Sequence, residues 1–159
     1  MPKILVVDDH STSQRLMSFI LHQKQHSVVT AMNGRQALEC LSDEPFDLVI
    51  TDINMPELNG IELLKHMRKN TQYCMIPVII LTGSVHDQDH IRAQEAGAIA
   101  FLTKPVGSEE ILATVDQLLS VRSSNESMIL GSHINNNPEQ EADTLKFLKL
   151  RLKKNIHVI

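Results

Sequence analysis

The chain has 159 residues, 42% hydrophobic and 21% charged, with a net charge of -4, a composition that suits a soluble globular protein able to bury a core. This acidic balance, with a pI near 6.0, argues against coating nucleic acid or anionic membrane through the overall field. The four apolar residues between Lys3 and Asp8 are too few for a signal-peptide core, and no run is long enough to span a bilayer, so a cytoplasmic location without a membrane partner is expected.

In chain order, KILVVD (3–8) is an apolar, β-branched run of the kind that forms a strand buried on both faces. Ser11 and Gln14 form a capping-box pair that predicts a helix carrying Leu16, Met17, Phe19, Ile20 and Leu21. A second strand is expected over Ser27 to Ala31, then a helix capped by Asn33 with Gln36 and holding Ala37, Leu38 and Leu41. DLVIT (47–51) predicts the third strand, closed by Asp52. After a loop containing Pro56, Asn59 and Glu62 predict a helix with Ile61, Leu63, Leu64 and Met67. IPVIILT (76–82) is the strongest strand signal, and Ser84 and Asp87 open a fourth helix that ends before Ala96-Gly97-Ala98, where the glycine suits a left-handed cap. Ile99 to Leu102 predicts a short fifth strand, and Ser108, Glu109 and Glu110 start a last helix through Leu119.

Five strands alternating with five helices predict an α/β, doubly wound parallel sheet, because parallel connections need crossovers. From about Val121 the texture changes. Residues 122–138 read as a polar linker, and residues 139–159 as a basic amphipathic tail that is helical, with Lys146, Lys149, Arg151, Lys153 and Lys154 among its leucines. That tail is the one route by which the chain could contact nucleic acid. Cys40 and Cys74 match neither a metal-ligand nor a redox spacing and are expected to be free thiols.

Asp8 with Asp9, Asp52, Thr82 and Lys104 each sit at or just past the end of an apolar run. The carboxyl ends of parallel strands converge on one sheet edge, where such folds bind ligands. Three carboxylates, a hydroxyl and an ammonium at one edge suit a divalent cation and a phosphoryl group, since hard cations take oxygen ligands and lysine complements phosphate. His86 and His90 have a spacing that can bind a transition metal, but a solvated helix face is the simpler reading. His10 is assigned no catalytic role.

The motifs VVDD, TDINMP followed by Gly60, ILTG and FLTKP stand in that order, with gaps of 43, 30 and 22 residues between Asp9, Asp52, Thr82 and Lys104. From Lys3 to about Val121 the chain resembles the receiver domain of bacterial response regulators in two-component signalling, those of the chemotaxis-regulator type included. The resemblance implies a receiver domain over residues 1–121 with the flavodoxin-like strand order 2-1-3-4-5. It implies that Asp52 accepts a phosphoryl group from a histidine kinase or a histidine phosphotransfer protein. Asp8, Asp9, Asp52 and the backbone carbonyl of Asn54 would hold Mg2+, or Mn2+ in its place, with Asp8 acting through a metal-bound water. Lys104 would pair with Asp52 and later with a phosphoryl oxygen, and Gly83 would leave room for the group. Asn54 and Ser84 would tune dephosphorylation, and Lys104 would precede a cis peptide to Pro105.

By the same resemblance, Thr82 would hydrogen-bond the phosphoryl oxygen and Phe101 would turn inward, shifting the face of helix 4, strand 5 and helix 5. One hydrogen bond to a charged group is worth about 1.5–3 kcal/mol, short of the ~5.5 kcal/mol that drives a switch almost completely. A downstream protein target, or a phosphorylation-dependent homodimer, would supply the rest. The chain would assist its own phosphorylation and dephosphorylation without being an enzyme in the ordinary sense. The 38 residues after Val121 are too few and too polar for a winged-helix core, so output by protein contact is expected. Two other readings compete: a Mg2+-dependent aspartyl-phosphate phosphohydrolase, which places a second aspartate where this chain has Asn54, and a receiver-type scaffold that needs no phosphate.

Overall fold

The structure, a computed structural model, describes residues 1–129. Its strands are β1 (Lys3–Val7), β2 (Ser27–Ala31), β3 (Leu48–Thr51), β4 (Val78–Thr82) and β5 (Ala100–Thr103). They alternate with α1 (Ser11–His22), α2 (Gly34–Asp43), α3 (Gly60–Lys69), α4 (Asp87–Ala96) and α5 (Ser108–Ile129). All pairings are parallel and the order is β2-β1-β3-β4-β5, which is the expected doubly wound sheet.

Side-chain alternation along the strands divides the core into two layers. Leu5, Val7, Val49, Val78 and Ile80 face α2, α3 and α4, where they meet Ala37, Leu41, Leu64, Met67 and Ala93. Ile4, Val6, Leu48, Ile50, Ile79 and Leu81 face α1 and α5, against Met17, Ile20, Ile111, Val115 and Leu118. Burial on both faces is why these strands read as unbroken apolar runs rather than alternating ones.

Two of the predicted helix starts form as expected. The Asn33 side chain accepts the Gln36 N–H at 2.9 Å. Asn59 and Glu62 close a reciprocal box, with bonds of 2.9 Å and 3.0 Å. Gly97, at φ +102°, ends α4 in a Schellman arrangement: its N–H bonds Gln94 O and the Ala98 N–H bonds Ala93 O. Arg68, at the end of α3, secures the same corner by donating to the carbonyls of Cys74, Ile76 and Gly97 at 2.8, 2.9 and 2.9 Å.

Elsewhere the structure corrects the sequence expectation. The Ser11–Gln14 box does not form; His10 is the N-cap of α1 and makes no side-chain cap bond. Gln14 is instead buried, its amide donating to Asp8 O at 2.7 Å and Ala31 O at 2.9 Å, where it ties together the ends of β1 and β2. Helix α4 starts at Asp87 rather than Ser84, and the Ser84 hydroxyl donates to the Asp89 carboxylate at 2.5 Å. Strand β5 lies one residue later than expected.

The last helix does not stop near Val121 but runs on to Ile129, into the stretch expected to be a linker. No Gly or Pro interrupts Ser108–Ile129, and serines on both sides of the expected boundary bond inside the helix. Ser120, Ser123 and Ser124 each donate to the carbonyl four residues back. The rest of the expected linker and the basic tail lie outside the described residues.

Candidate functional site

The sheet register gathers the predicted residues at one edge. Val7 pairs with Thr51, so Asp8 and Asp52 leave adjacent strands at the same level. Thr82 pairs with Thr103, which delivers Lys104 one residue further on. The Lys104 ammonium donates to Asp8 Oδ2 at 2.7 Å and to Asp52 Oδ2 at 3.1 Å. Burial alone would lower its pKa, but the hydrogen bonds and charges of the two carboxylates outweigh burial and hold it above the ordinary lysine value. Lys104 therefore remains a cation throughout the physiological range.

Asp52 is buried, and its other oxygen, Oδ1, accepts the Ile53 N–H at 2.6 Å and the Asn54 N–H at 3.3 Å. Its carboxylate is thus oriented from both sides, by backbone amides on one oxygen and by an ammonium on the other. The loop that supplies those amides is held close by Gly60, whose N–H bonds Ile53 O at 2.9 Å. A Cβ at Gly60 would stand 2.0 Å from Asp52 O, so this approach requires glycine.

Asp8 is buried and doubly held: Oδ2 takes the lysine, and Oδ1 accepts the His10 backbone N–H at 2.9 Å. Among the described residues Asp9 Oδ1 is buried without a hydrogen-bond partner, although the His10 ring Nδ1 stands in ion-pair range of it at 2.9 Å. Donor atoms of Asp8, Asp9 and His10 lie within 4.8 Å of one another. An unsatisfied carboxylate oxygen beside a second carboxylate fits a hard dication, so the residues present suit the metal that the resemblance implies.

Beside these groups opens a cleft of about 590 Å³, lined by His10, Ser13, Asp52, Asn54, Gly83, Ser84, His86, Asp89 and Lys104. The exposed Asn54 and half-buried Ser84 stand at its wall. Thr82 does not line it. That residue is fully buried, and its hydroxyl accepts the Ser84 N–H at 3.3 Å. Phe101 is half-buried, packed against the core layer below α4, with its ring edge-to-face on His90 at a centroid distance of 4.8 Å. His90 is thus engaged in an aromatic contact. The Lys104–Pro105 peptide is cis.

Sequence reasoning does not place Gln14, Ser13, His86 or Asp89 at this cleft; it reads Gln14 as a helix-capping residue and His86 as one of a helical histidine pair. Gln14 and Ser13 carry no strand-end signal, and Asp89 reads as one of several acids at a helix start. His10 follows the acidic pair directly, and that adjacency was the one available pointer to its place in the site.

The described residues include no helix long and apolar enough to cross a membrane. Residues 4–116 match the response regulator receiver domain family. The chain is 35% identical to protein PilH of Pseudomonas aeruginosa over 120 residues, 76% of this chain and 99% of that protein. It is 36% identical to the transcriptional regulatory protein CpxR of Escherichia coli K12 over 145 residues, covering 91% of this chain and 60% of CpxR. Against the alkaline phosphatase synthesis regulator PhoP of Bacillus subtilis, 36% identical, it spans 48% of the relative's length. Among solved structures it is similar to the Vibrio cholerae chemotaxis protein CheY4, with TM-score 0.70 and 33% identity over 74% of this chain and 98% of that one. A receiver domain of a histidine kinase from Syntrophus aciditrophicus gives TM-score 0.72 and 34% identity, covering 76% and 91%.

Proposed function

Because the chain belongs to the response regulator receiver family, whose domains act as switches in two-component signalling, we propose that Asp52 is its phosphoacceptor and that phosphorylation controls a protein partner. The observation that carries this reading is the pair of grips on Asp52: Lys104 on Oδ2 and the Ile53 and Asn54 amides on Oδ1. A carboxylate oxygen of Asp52 attacks the phosphorus of a phosphohistidine on the donor protein. The P–N bond breaks as the new P–O bond forms, and the imidazole leaves with a proton. Lys104 moves from the carboxylate to a phosphoryl oxygen, where it offsets charge gathering on the transferred group.

Asp8, Asp9, Asp52 and the Asn54 carbonyl are the residues that would hold Mg2+, which when bound offsets the charge between nucleophile and phosphoryl group. Gly83 borders the cleft and carries no side chain into it. Thr82 would exchange its bond from the Ser84 amide for one donated to a phosphoryl oxygen. Phe101, at the junction of β5 and α4, would follow into the space released and carry the change to the α4–β5–α5 face. The phosphodonor is a histidine kinase or phosphotransfer protein in the cytoplasm, and the output is a contact with a protein target. Exposed Asn54 cannot serve as the general acid that a phosphohydrolase needs, which favours a switch over a turnover enzyme.

The test is incubation of the full chain with Mg2+ and a small acyl phosphate, followed by intact-mass measurement. One added phosphate is expected, absent in Asp52→Asn. Absence of labelling in the unaltered chain, with Mg2+ bound, would leave a phosphate-independent scaffold as the better account.

A further inference from the structure

We propose that His10 is an additional ligand at the acidic pair, so that the metal site of this chain takes borderline dications such as Co2+, Ni2+ or Zn2+ through a nitrogen donor. This rests on the reading that Asp8 and Asp9 hold a dication, and it deepens that reading by assigning the site a chemical preference. Three observations support it. First, the His10 ring Nδ1 lies 2.9 Å from Asp9 Oδ1 and 3.4 Å from Asp8 Oδ1. Ligands about 2.0–2.2 Å from a common ion, at angles between octahedral and tetrahedral, stand roughly 3.0–3.4 Å apart. The imidazole thus already occupies a ligand's distance from both carboxylates.

Second, Asp9 Oδ1 is buried and has no hydrogen-bond partner. The ring stands in ion-pair range of it without hydrogen-bond geometry, an arrangement that an ion held jointly by the two would satisfy. Third, His10 is fixed by its backbone while its exposed ring is held only at Nδ1, by the two carboxylates. The His10 N–H donates to Asp8 Oδ1 at 2.9 Å, and the His10 carbonyl accepts the first α1 bond, from the Gln14 N–H, at 3.1 Å. The ring itself is 72% exposed, so it can rotate onto an ion without disturbing the core.

Oxygen-only sites give Mg2+ its best competition, whereas a neutral imidazole adds affinity for first-row dications, rising from cobalt through nickel to copper and falling again at zinc. Lys104 occupies Asp8 Oδ2, on the other side of that carboxylate from the His10 contacts, so the lysine and the imidazole do not compete for one oxygen.

The untagged full chain, His10→Gln and His86→Ala should be titrated with Mg2+ and with Co2+ by calorimetry, with Co2+ ligand-field absorption recorded alongside. His86 lines the same cleft but lies outside the cluster. The expected result is a Co2+ affinity at least tenfold weaker in His10→Gln with an altered absorption band, a Mg2+ affinity within threefold of the unaltered chain, and no change in His86→Ala. Co2+ affinity and spectrum unchanged in His10→Gln, while Mg2+ still binds, would overturn the ligand role of His10 alone. Failure of the unaltered chain to bind either ion would overturn the metal reading of the acidic pair as well.

Discussion

Lys104 reaches past the end of its own strand to Asp8, 96 positions earlier, and its ammonium stands closer to that carboxylate, at 2.7 Å, than to Asp52, at 3.1 Å. One cation thus restrains two buried acids on neighbouring strands. Removing it leaves like charges facing each other at low dielectric. Lys104→Ala is expected to destabilise the chain by about 1–2 kcal/mol, discounted from a fully buried pair because the lysine side chain is 27% exposed. Asp8→Asn in that background should restore part of the loss. Urea denaturation of the four proteins in this cycle gives the coupling, and additive effects would refute it.

The same contact fixes a pH dependence. A lysine held above its usual value contributes stability in full below the unfolded value of about 10.5, and that contribution disappears as pH rises through the higher folded value. The stability gap between the unaltered chain and Lys104→Ala should therefore be flat from neutral pH to about 10 and narrow above it. A gap that closes between pH 7 and 9 would mean that the folded state does not hold the proton as described.

On the proposed phosphoacceptor reading, two glycines near the site separate folding from phosphate accommodation. A Cβ at Gly60 would collide with Asp52 O at 2.0 Å, whereas one at Gly83 would meet nothing within 4 Å. Gly60→Ala should cost roughly 3 kcal/mol through forced displacement of the 53–58 loop. Gly83→Ala should stay within about 0.5 kcal/mol yet slow phosphorylation by a small acyl phosphate, because its methyl would enter the cleft beside Asp52. Equal labelling rates in Gly83→Ala and the unaltered chain would show that the phosphoryl group does not use that space.

What the sequence made legible, and what it hid, follows from the range of the forces involved. The strands were readable because burial on both faces leaves a long apolar signature, as in Val78–Thr82. The strand-end residues were readable because topology converts sequence position into spatial position: Asp8 and Asp52 meet through the Val7–Thr51 register. Gln14 misled because a capping glutamine and a buried, bridging one look alike in sequence, and the choice depends on the ends of β1 and β2 being near. The extension of α5 was hidden because serine disfavours helices in isolation, while here Arg122 donates to Asp47 O at 2.9 Å and ties the helix to the sheet past Val121. The second hydrogen bond of Lys104 had no local signal at all.

Arg68 joins three segments through carbonyls of Cys74, Ile76 and Gly97, although burial lowers its pKa below the ordinary arginine value. Its planar fork supplies the geometry that a lysine ammonium lacks. Arg68→Ala should cost about 2–3 kcal/mol by leaving charge-assisted bonds unmade, and Arg68→Lys should fall between. Thermal denaturation distinguishes the cases. A lysine variant as stable as the unaltered chain would show that charge, not the fork, holds the α3–α4 corner.

On the proposed reading, a protein phosphodonor would cover the cleft during transfer, and the surface beside it has an apolar anchor available. On α1, whose Ser13 lines the cleft, Leu16 and Phe19 are 59% and 65% exposed, a costly arrangement for a helix whose apolar face is already covered by the sheet and α5. Truncating Phe19 removes little from the folded core, so Phe19→Ala should keep its stability within about 0.5 kcal/mol. If a histidine phosphodonor protein buries that ring, kcat/KM for protein-to-protein phosphotransfer should fall about tenfold, the equivalent of ~1.4 kcal/mol of lost contact. Labelling by a small acyl phosphate should be unaffected, because that donor has no surface with which to touch α1. A variant slowed equally with both donors would place the defect in the Asp52 chemistry, and one slowed with neither would show that α1 is not where the donor docks.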